Sequence, residues 1–318
     1  LDHPDVCIID PATGTGNFII NLLHRIQQRA PQALPEVYAK RLFANEVMLL
    51  PYYVASLNIE HAYYELTGQY APFEGLCFVD TLDLAEGAQM KLAFMTEKNS
   101  ERVERQKAAK ITVVIGNPPY NVGQLNENDN NKNREYEVIY KRVRDTYAKD
   151  SQATNRNAVS DAYVKFFRWA SDRLQGRDGI VCFVSNNGFV DGITFDGMRK
   201  HLHQDFNRIY VIDLKGNIRK DSMREGIPLG EQHTVFGLAA MVGISITVLV
   251  KTSRHQDHKI YYANVDWRST RQEKFEFLQN AKKISGVQLR ELSPDKRNTW
   301  LVEENADEFA AFIPIGNK

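Results

Sequence analysis

Short apolar runs rich in β-branched residues alternate along the chain with segments whose apolar residues recur at helical spacing. The strand-like runs are 6–9, 42–45, 76–79, 111–115, 180–185, 209–214 and 244–250. The helical segments are 18–29, 50–66, 136–147, 161–174 and 198–206, and two polar segments, 90–110 and 121–160, interrupt the alternation. Apolar strands that alternate with helices are typical of a parallel sheet covered on both faces. The sequence therefore predicts an α/β fold with a mostly parallel, Rossmann-like sheet.

A glycine loop follows the first strand-like run and leads into the first helix, with the sequence DPATGTGNF. Glycines allow the backbone to turn tightly and to approach a ligand, and the N–H groups of a helix N-terminus point at whatever lies in the turn. The loop lacks the third glycine of the dinucleotide fingerprint and the GKS or GKT of a phosphate-binding loop, so bound phosphate is not expected. The candidate cofactor-binding residues of this loop are Asp10, Pro11, Ala12, Thr13, Gly14, Gly16 and Phe18. A tight packing turn remains the alternative.

Acidic residues lie at the ends of the next two strand-like runs. Glu46 stands where a carboxylate accepts hydrogen bonds from ribose hydroxyls, and Asp80 with Thr81 is a candidate for the amino edge of an adenine. Each acid by itself is more often a solvated strand end. Because the carboxyl ends of parallel strands share one edge of a sheet, the glycine loop and the acids together predict a site for an adenosine without phosphate.

The fourth strand-like run leads directly into the tetrad Asn117, Pro118, Pro119 and Tyr120. Two prolines hold the backbone extended and remove two N–H donors, so carbonyl groups and the Asn117 side chain are left to accept hydrogen bonds. Such acceptors suit an amino group, and accepting its protons directs the nitrogen lone pair toward an electrophile. Tyr120 offers a flat face on which an extruded base can stack. The alternative is an ordinary surface turn.

Composition limits the partners that the chain can have. Lysine and arginine total 40 and aspartate and glutamate total 40, which excludes a uniformly basic nucleic-acid coat. A polyanion must therefore meet a local patch, and the basic residues between Lys132 and Arg177 are the candidate, with a solvated helix face as the alternative. The three cysteines lie far apart without a CxxC pair, so neither a disulfide framework nor structural zinc is expected. The uncharged stretch 234–250 predicts strands rather than a membrane span.

These motifs resemble those of the gamma-class N6-adenine DNA methyltransferases, which have the class I S-adenosylmethionine-dependent fold. The matching stretches are DPATGTGNF, NE at 45–46, VDTL at 79–82, NPPY at 117–120, SDAYVKFFRWASDRL at 160–174, GIVCFVSNNGFV at 179–190 and GEQHTVFGLAAMVGISITVLV at 230–250. They span residues 6–251 in the family's order. The asparagine-rich insertion after NPPY and the stretch 160–174 look most like the methyltransferase portion of single-chain type ISP restriction-modification enzymes.

The resemblance implies a fold, a cofactor and a reaction. The sheet would contain one antiparallel strand, and S-adenosyl-L-methionine would lie over the glycine loop, with Glu46 on its ribose and Asp80 on its adenine. A flipped adenine would stack on Tyr120 while Asn117 and Pro118 hold its N6 amino group. Phe236 is a candidate second wall of the target-base pocket, and a core phenylalanine in a strand is an equal alternative. The family's reaction implies no metal site.

The resemblance also implies domains and partners. Residues 1–252 correspond to the methyltransferase domain without motif X, and residues 253–318 to a linker and the start of a truncated target-recognition region. The implied partners are double-stranded DNA and covalently linked nuclease, helicase-like and target-recognition domains, in the bacterial cytoplasm and without a membrane.

Other reactions fit the same motifs less well. Protein glutamine N-methyltransferases also present NPPY to a planar amide, and a non-catalytic adenosine-binding module that regulates a helicase or nuclease is a further alternative. Cytosine-C5 methylation is disfavoured because no cysteine follows a proline. The N4-cytosine enzymes favour serine where this chain has Asn117.

Overall fold

The computed structural model describes residues 3–85, 97–120, 136–154, 157–218, 223–224, 227–228, 230–237 and 240–302. A nine-stranded sheet with the order β11-β10-β6-β9-β5-β4-β1-β2-β3 forms its centre, and β7 pairs with β8 separately. The strands are β1 (Ile8–Asp10), β2 (Leu42–Glu46), β3 (Leu76–Phe78), β4 (Val113–Gly116), β5 (Gly179–Asn186), β6 (Arg208–Asp213), β7 (Met223–Arg224), β8 (Ile227–Pro228), β9 (Ile244–Lys251), β10 (Lys259–Asn264) and β11 (Arg290–Leu292).

The α-helices of the described residues are α1 (Asn17–Arg29), α2 (Leu34–Glu36), α3 (Leu49–Thr67), α4 (Thr81–Ala85), α5 (Glu97–Ala108), α6 (Glu137–Val143), α7 (Ala162–Arg173), α8 (Gly188–Asp191), α9 (Asp196–Asp205) and α10 (Arg271–Ala281). Helix α2 continues into a π-helical turn, Val37–Arg41, and α6 into another, Arg144–Ala148. Residues 90–96 and 121–135, which belong to the two polar segments, lie outside the described residues.

The predicted fold class is confirmed, since all seven strand-like runs form strands of the central sheet. Strand β9 is antiparallel to both of its neighbours, β5 and β6. A second antiparallel strand, β11, pairs with β10 at the sheet edge and was not expected. Its three residues are partly or fully exposed, so no apolar pattern marks it in the sequence.

The sheet continues past residue 252, where the sequence predicted a domain boundary. Strand β10 pairs in parallel with β6 over six residues, from Lys259↔Arg208 to Asn264↔Asp213. Sequence reasoning took this region as irregular because charged residues surround it. Only Ile260, Tyr262 and Ala263 are buried, and tyrosines obscure the alternation. The domain boundary itself remains a prediction.

Alternate residues of the strands reach opposite faces of the sheet and pack in different apolar clusters. Ile8 and Leu42 pack with helices α1 and α3 on one face. Ile9 and Phe43 belong to the cluster on the other face, which contains residues of α6, α7 and α9. Helices therefore cover both faces, as the continuous apolar runs predicted.

None of the helices in the described part of the chain combines the length and apolar composition that crossing a bilayer requires.

Candidate active site at the carboxyl edge of the sheet

The glycine loop and the NPPY tetrad begin side by side. Strands β1 and β4 are adjacent and parallel, with Ile8 opposite Val113, so their carboxyl ends at Asp10 and Gly116 share one edge. A Cβ atom on Gly116 would lie 2.7 Å from Asp10 Oδ1, closer than real Cβ contacts come. The residue before Asn117 is therefore glycine because the Asp10 carboxylate occupies the space where a side chain would stand.

Hydrogen bonds attach the glycine loop to the two strands beside it. The Thr13 N–H donates to the Asn45 carbonyl of β2 at 2.9 Å, and Thr81 Oγ1 donates to the Pro11 carbonyl at 2.6 Å. Gly16 caps helix α1 at a φ of 93°, a conformation that favours glycine. A Cβ on Gly16 would also meet Ile59 of α3 at 3.0 Å, so the loop approaches that helix closely.

The other predicted loop residues lie where the loop turns into helix α1. Ala12, Gly14 and Phe18 are partly exposed, whereas Pro11 and Thr13 are buried. Thr81 is also buried, and it accepts a hydrogen bond from Asn45 Nδ2 at 2.9 Å as well as donating to the loop. Its hydroxyl therefore ties β2, β3 and the glycine loop together.

The Glu46 carboxylate holds two backbone N–H groups. Its Oε2 accepts from Gly14 at 2.9 Å and its Oε1 accepts from Met48 at 2.7 Å. Burial raises the pKa of Glu46, and the hydrogen bonds from Met48 and Gly14 oppose that change. Each carboxylate oxygen can accept further hydrogen bonds, so Glu46 can shape the glycine loop and still bind a ligand.

Two apolar side chains after Glu46 were not singled out from the sequence. Val47 is 39% exposed and Met48 is 59% exposed, at the end of β2. Exposed apolar side chains beside a polar loop provide a surface for a flat ring. The sequence signal that could have identified them is the apolar pair Val-Met directly after the acid at the end of a strand.

Asp80 is held by a residue that sequence reasoning also missed. Its Oδ1 accepts from the Leu82 N–H at 2.9 Å, and its Oδ2 accepts from the Tyr136 hydroxyl at 2.6 Å. Tyr136 is buried at the start of α6. No local sequence signal links a tyrosine to an acid 56 residues earlier.

Two buried acceptor oxygens lie on the adjacent strand ends. Within the described residues, neither Asp10 Oδ2 nor Asn117 Oδ1 has a hydrogen-bond partner. Leaving a buried acceptor unpaired costs roughly 1–3 kcal/mol, so a pair of them at one edge indicates a ligand with donor or cationic groups. Burial raises the pKa of Asp10 to about 7, the N–H of Ala12 lowers it, and the Glu46 carboxylate raises it further.

The rest of the tetrad follows at the same edge. Pro118 is buried, Pro119 is exposed and Tyr120 is partly buried. Tyr120 packs against the edge cluster, which we define as the apolar residues Ile212, Leu214, Val235, Ala240, Val242, Ile244, Ala263, Val265 and Val287. Burial raises the pKa of Tyr120 to about 12, and a hydrogen bond with the Asn117 side chain opposes this.

Phe236 lies in a turn rather than in a strand. Thr234 Oγ1 donates to the Gly237 carbonyl at 2.8 Å across this turn, and Phe236 is 37% exposed. The preceding residue, Val235, belongs to the edge cluster against which Tyr120 packs. The structure therefore brings Phe236 to the tetrad's side of the sheet, and its role as a wall remains a prediction.

The residues after β5 form a buried polar network with the end of β6. Asn187 Nδ2 donates to Asp213 Oδ1 at 2.8 Å, and the Tyr262 hydroxyl donates to Asp213 Oδ2 at 2.9 Å. Lys215 Nζ is 2.7 Å from the same Oδ2. Asp213 and Tyr262 were not predicted as site residues, because their partners come from separate strands.

The predicted basic patch consists largely of paired side chains. Arg142 and Arg168 both contact Asp172, at 2.7 and 2.8 Å. Arg173 donates to three carbonyl oxygens at the end of α5. Arg144 is exposed, and Lys132, Arg134 and Arg156 lie outside the described residues. DNA contact through this stretch therefore remains a prediction.

Among the described residues, no group of three or more histidine, cysteine, aspartate or glutamate side chains is arranged to hold a metal ion.

Comparison with known proteins identifies the family. The Eco57I restriction-modification methylase model matches residues 55–218, just over half of the chain. No curated protein is detectably similar to the chain.

Three solved structures are similar over nearly the whole chain. A DrdV–DNA complex is 40% identical with a TM-score of 0.85, covering 96% of this chain and 29% of that protein. A nuclease-deletion mutant of the type ISP restriction-modification enzyme LlaGI, in complex with a DNA substrate mimic, is 36% identical with a TM-score of 0.89, covering 98% and 26%. The ATP-dependent type ISP enzyme LlaBIII, bound to DNA, is 33% identical with a TM-score of 0.87, covering 100% and 22%.

The chain thus spans less than a third of the length of each of these relatives. Its fold, its strand-end motifs and the family match agree with one another, and the chain belongs to the Eco57I restriction-modification methylase family.

Proposed function

We propose that the chain is the methyltransferase domain of a type ISP-like restriction-modification enzyme and that it methylates the N6 amino group of a flipped adenine in DNA. The observation that carries this proposal is the buried Asn117 Oδ1, directly after the strand that pairs with β1, which has no hydrogen-bond partner among the described residues. The three similar structures were all solved with DNA or a DNA mimic, which supports DNA as the substrate.

The residues at the sheet edge fit S-adenosyl-L-methionine. Asp10 Oδ2 is a buried acceptor without a partner among the described residues, and the Glu46 carboxylate accepts from the Gly14 N–H of the glycine loop, so this edge is suited to a cationic group. Val47 and Met48 offer exposed apolar surface for an adenine ring. When bound, the cofactor supplies a methyl group on a sulfonium centre.

The chain's own residues would bind and orient the target amino group. Asn117 Oδ1 would accept one N6 proton and the Pro118 carbonyl the other, which directs the nitrogen lone pair toward the methyl donor. Asn117 Oδ1 is buried and has no partner among the described residues, so it is the atom available to the substrate. Tyr120 would stack on the base, with Phe236 as the second wall.

The same proposal extends to the rest of the polypeptide. The relatives are more than three times as long as this chain, and their names include an ATP-dependent enzyme and a nuclease-deletion mutant. We infer that the full-length protein also contains nuclease, helicase-like and target-recognition domains and acts on DNA in the bacterial cytoplasm.

The test uses the full-length protein with Asn117→Ala and, as a control on helix α1, Asn21→Ala. Asn117→Ala is expected to reduce tritium transfer from labelled cofactor to plasmid DNA by about 10²–10³-fold, as loss of a polarising group typically does. Cofactor affinity, measured by calorimetry, should change less than threefold in both variants. Near-native turnover of Asn117→Ala would overturn the acceptor role.

The identity of the modified base is tested separately. Digestion of the methylated plasmid to nucleosides and chromatography should show N6-methyladenine. N4-methylcytosine as the product would overturn the adenine assignment. Cofactor binding without methyl transfer by the full-length protein would favour the non-catalytic adenosine-binding module.

A further inference from the structure

A capping box fixes the start of helix α10, which lies beyond the last recognised motif. Thr270 and Glu273 form a capping box, in which the Thr270 N–H donates to Glu273 Oε2 at 2.7 Å. Phe275, Phe277 and Leu278 of the helix pack against the edge cluster. The helix is therefore part of the sheet-edge structure, although it follows the last matching stretch, 230–250, by about twenty residues.

Lys274 extends from this helix into the protein interior. It is 1% exposed, and its Nζ donates to the backbone carbonyl of His233. A Cβ on Gly216, after β6, would lie 2.6 Å from the same carbonyl oxygen and 3.1 Å from Lys274 Nζ. Three separate segments therefore meet at one carbonyl group.

A buried lysine at this position destabilises the fold unless the hydrogen bond that its ammonium group donates compensates for the loss of water. Burying an ammonium group removes it from water, and an apolar side chain would fill the same space without that penalty. Burial lowers the pKa of Lys274 to about 8, and the Asp213 carboxylate opposes this change. The desolvation of Lys274 is therefore offset by the hydrogen bond that its ammonium group donates to the His233 carbonyl.

His233 leads directly into the turn that carries Phe236. Its ring Nδ1 is 3.3 Å from the Ser269 carbonyl, just before the capping box, so a second contact joins the same two segments. The Thr234–Gly237 hydrogen bond then closes the turn. The position of Phe236 therefore depends on how firmly His233 is held.

We propose that Lys274 is a positioning residue for the target base, because it fixes the His233 carbonyl and thereby orients the turn that presents Phe236. This inference rests on the proposed function, in which Phe236 forms one wall of the target-base pocket. Lys274 acts through the backbone and does not itself contact the base.

The first test measures the anchoring without DNA or cofactor. In the full-length protein, Lys274→Met is expected to increase amide hydrogen exchange at least fivefold in the peptide containing residues 233–240. Exchange in helix α1 should not change. Lys274→Arg, which retains a cationic donor, should restore part of the protection. Unchanged exchange in Lys274→Met would overturn the inference.

The second test measures the consequence for the reaction. Sequencing of modified plasmid DNA gives the recognition site, and single-turnover methylation is then measured on a duplex that carries it. Lys274→Met and Phe236→Ala should each reduce the rate about tenfold with cofactor affinity unchanged, and the double variant should be no slower than Phe236→Ala. Independent, multiplying losses would show that Lys274 does not act through Phe236 and would overturn the inference.

One outcome separates this inference from the proposed function, and a second variant covers the case in which Lys274→Met does not fold. If the wild-type protein does not methylate DNA but Lys274→Met still loosens the turn, the function fails and the anchoring stands without a role in base positioning. If Lys274→Met does not fold, Gly216→Ala provides the second variant, since its added carbon would lie 2.6 Å from the same carbonyl oxygen and so displace it. A Gly216→Ala protein with native exchange and rate would contradict the inference.

Discussion

The proposed cofactor side and the proposed target side of the sheet edge, called below the cofactor side and the target side, are constructed differently. The cofactor side comprises the ends of β1, β2 and β3, where motif residues contact one another, as in the Glu46–Gly14 and Thr81–Pro11 hydrogen bonds. The target side comprises the tetrad after β4 and the ends of β5, β6 and β10, and the Phe236 turn on this side is held by Lys274 from outside every recognised motif. The residues of a short strand–turn–helix connection are positioned by the strand and helix that flank it. A long connection needs contacts with other segments of the chain to fix its position.

This difference has a consequence for substitutions. A change on the cofactor side should affect cofactor binding, because the glycine loop that it distorts is itself the proposed cofactor-binding site. A change on the target side should affect the rate of methylation and leave cofactor affinity intact. The following predictions test this separation.

Gly116→Ala is expected to have the largest effect. The added carbon would lie 2.7 Å from Asp10 Oδ1, and the clash involves a buried carboxylate at a strand end. We expect destabilisation of roughly 1–3 kcal/mol, typical of overpacking, and loss of measurable cofactor binding. Thermal unfolding and calorimetry would measure the two effects.

The matched control is Gly230→Ala, because a Cβ there would meet no atom of the described residues within 4 Å. Native cofactor affinity in Gly116→Ala would show that the contact between β1 and β4 does not shape the cofactor site.

Asn187→Ala tests the target side and is expected to have an intermediate effect. It removes the hydrogen bond to Asp213 Oδ1, which still accepts from the Lys215 N–H at 2.9 Å. We expect a decrease of about fivefold in the single-turnover methylation rate, in line with the loss of a buried hydrogen bond worth about 1 kcal/mol. Calorimetry should show native cofactor affinity. A parallel loss of cofactor affinity would mean that the two sides are one coupled unit.

Asp10→Asn is expected to have the smallest effect on stability, and this effect appears in the pH dependence of unfolding. The folded pKa of about 7 lies above the ordinary value of 3.8, so the folded state binds this proton more tightly than the unfolded state does. The free energy of unfolding should therefore decrease as pH rises from 4 to 7, by at most about 1.4 kcal/mol per pH unit for one group.

Denaturant unfolding at several pH values would measure this slope. Asp10→Asn should reduce it, and a remaining slope is expected from Glu46, whose pKa is also raised by burial. An identical slope in wild type and Asp10→Asn would show that Asp10 is not the group that titrates.

Much of the fold was predictable because its signals are local. The run IID that forms β1, the other apolar strands and the helical periodicity of 162–173 each specify their element over a few residues. The strand-end acids and the tetrad were found for the same reason, since the carboxyl ends of parallel strands meet at one edge. Strand β10 was missed because its buried residues are obscured by tyrosines and flanking charges.

The sequence by itself determined the class of fold, the order of the motifs and the residue types at the proposed cofactor side. Hydrophobic periodicity and the residue types at strand ends are both properties of consecutive residues, so they can be identified without the tertiary structure. Only the tertiary structure decided that Tyr136 holds Asp80, that Asn117 Oδ1 has no partner among the described residues, and that Lys274 reaches His233. These contacts join segments that are distant along the chain, and no pattern within either segment specifies its partner.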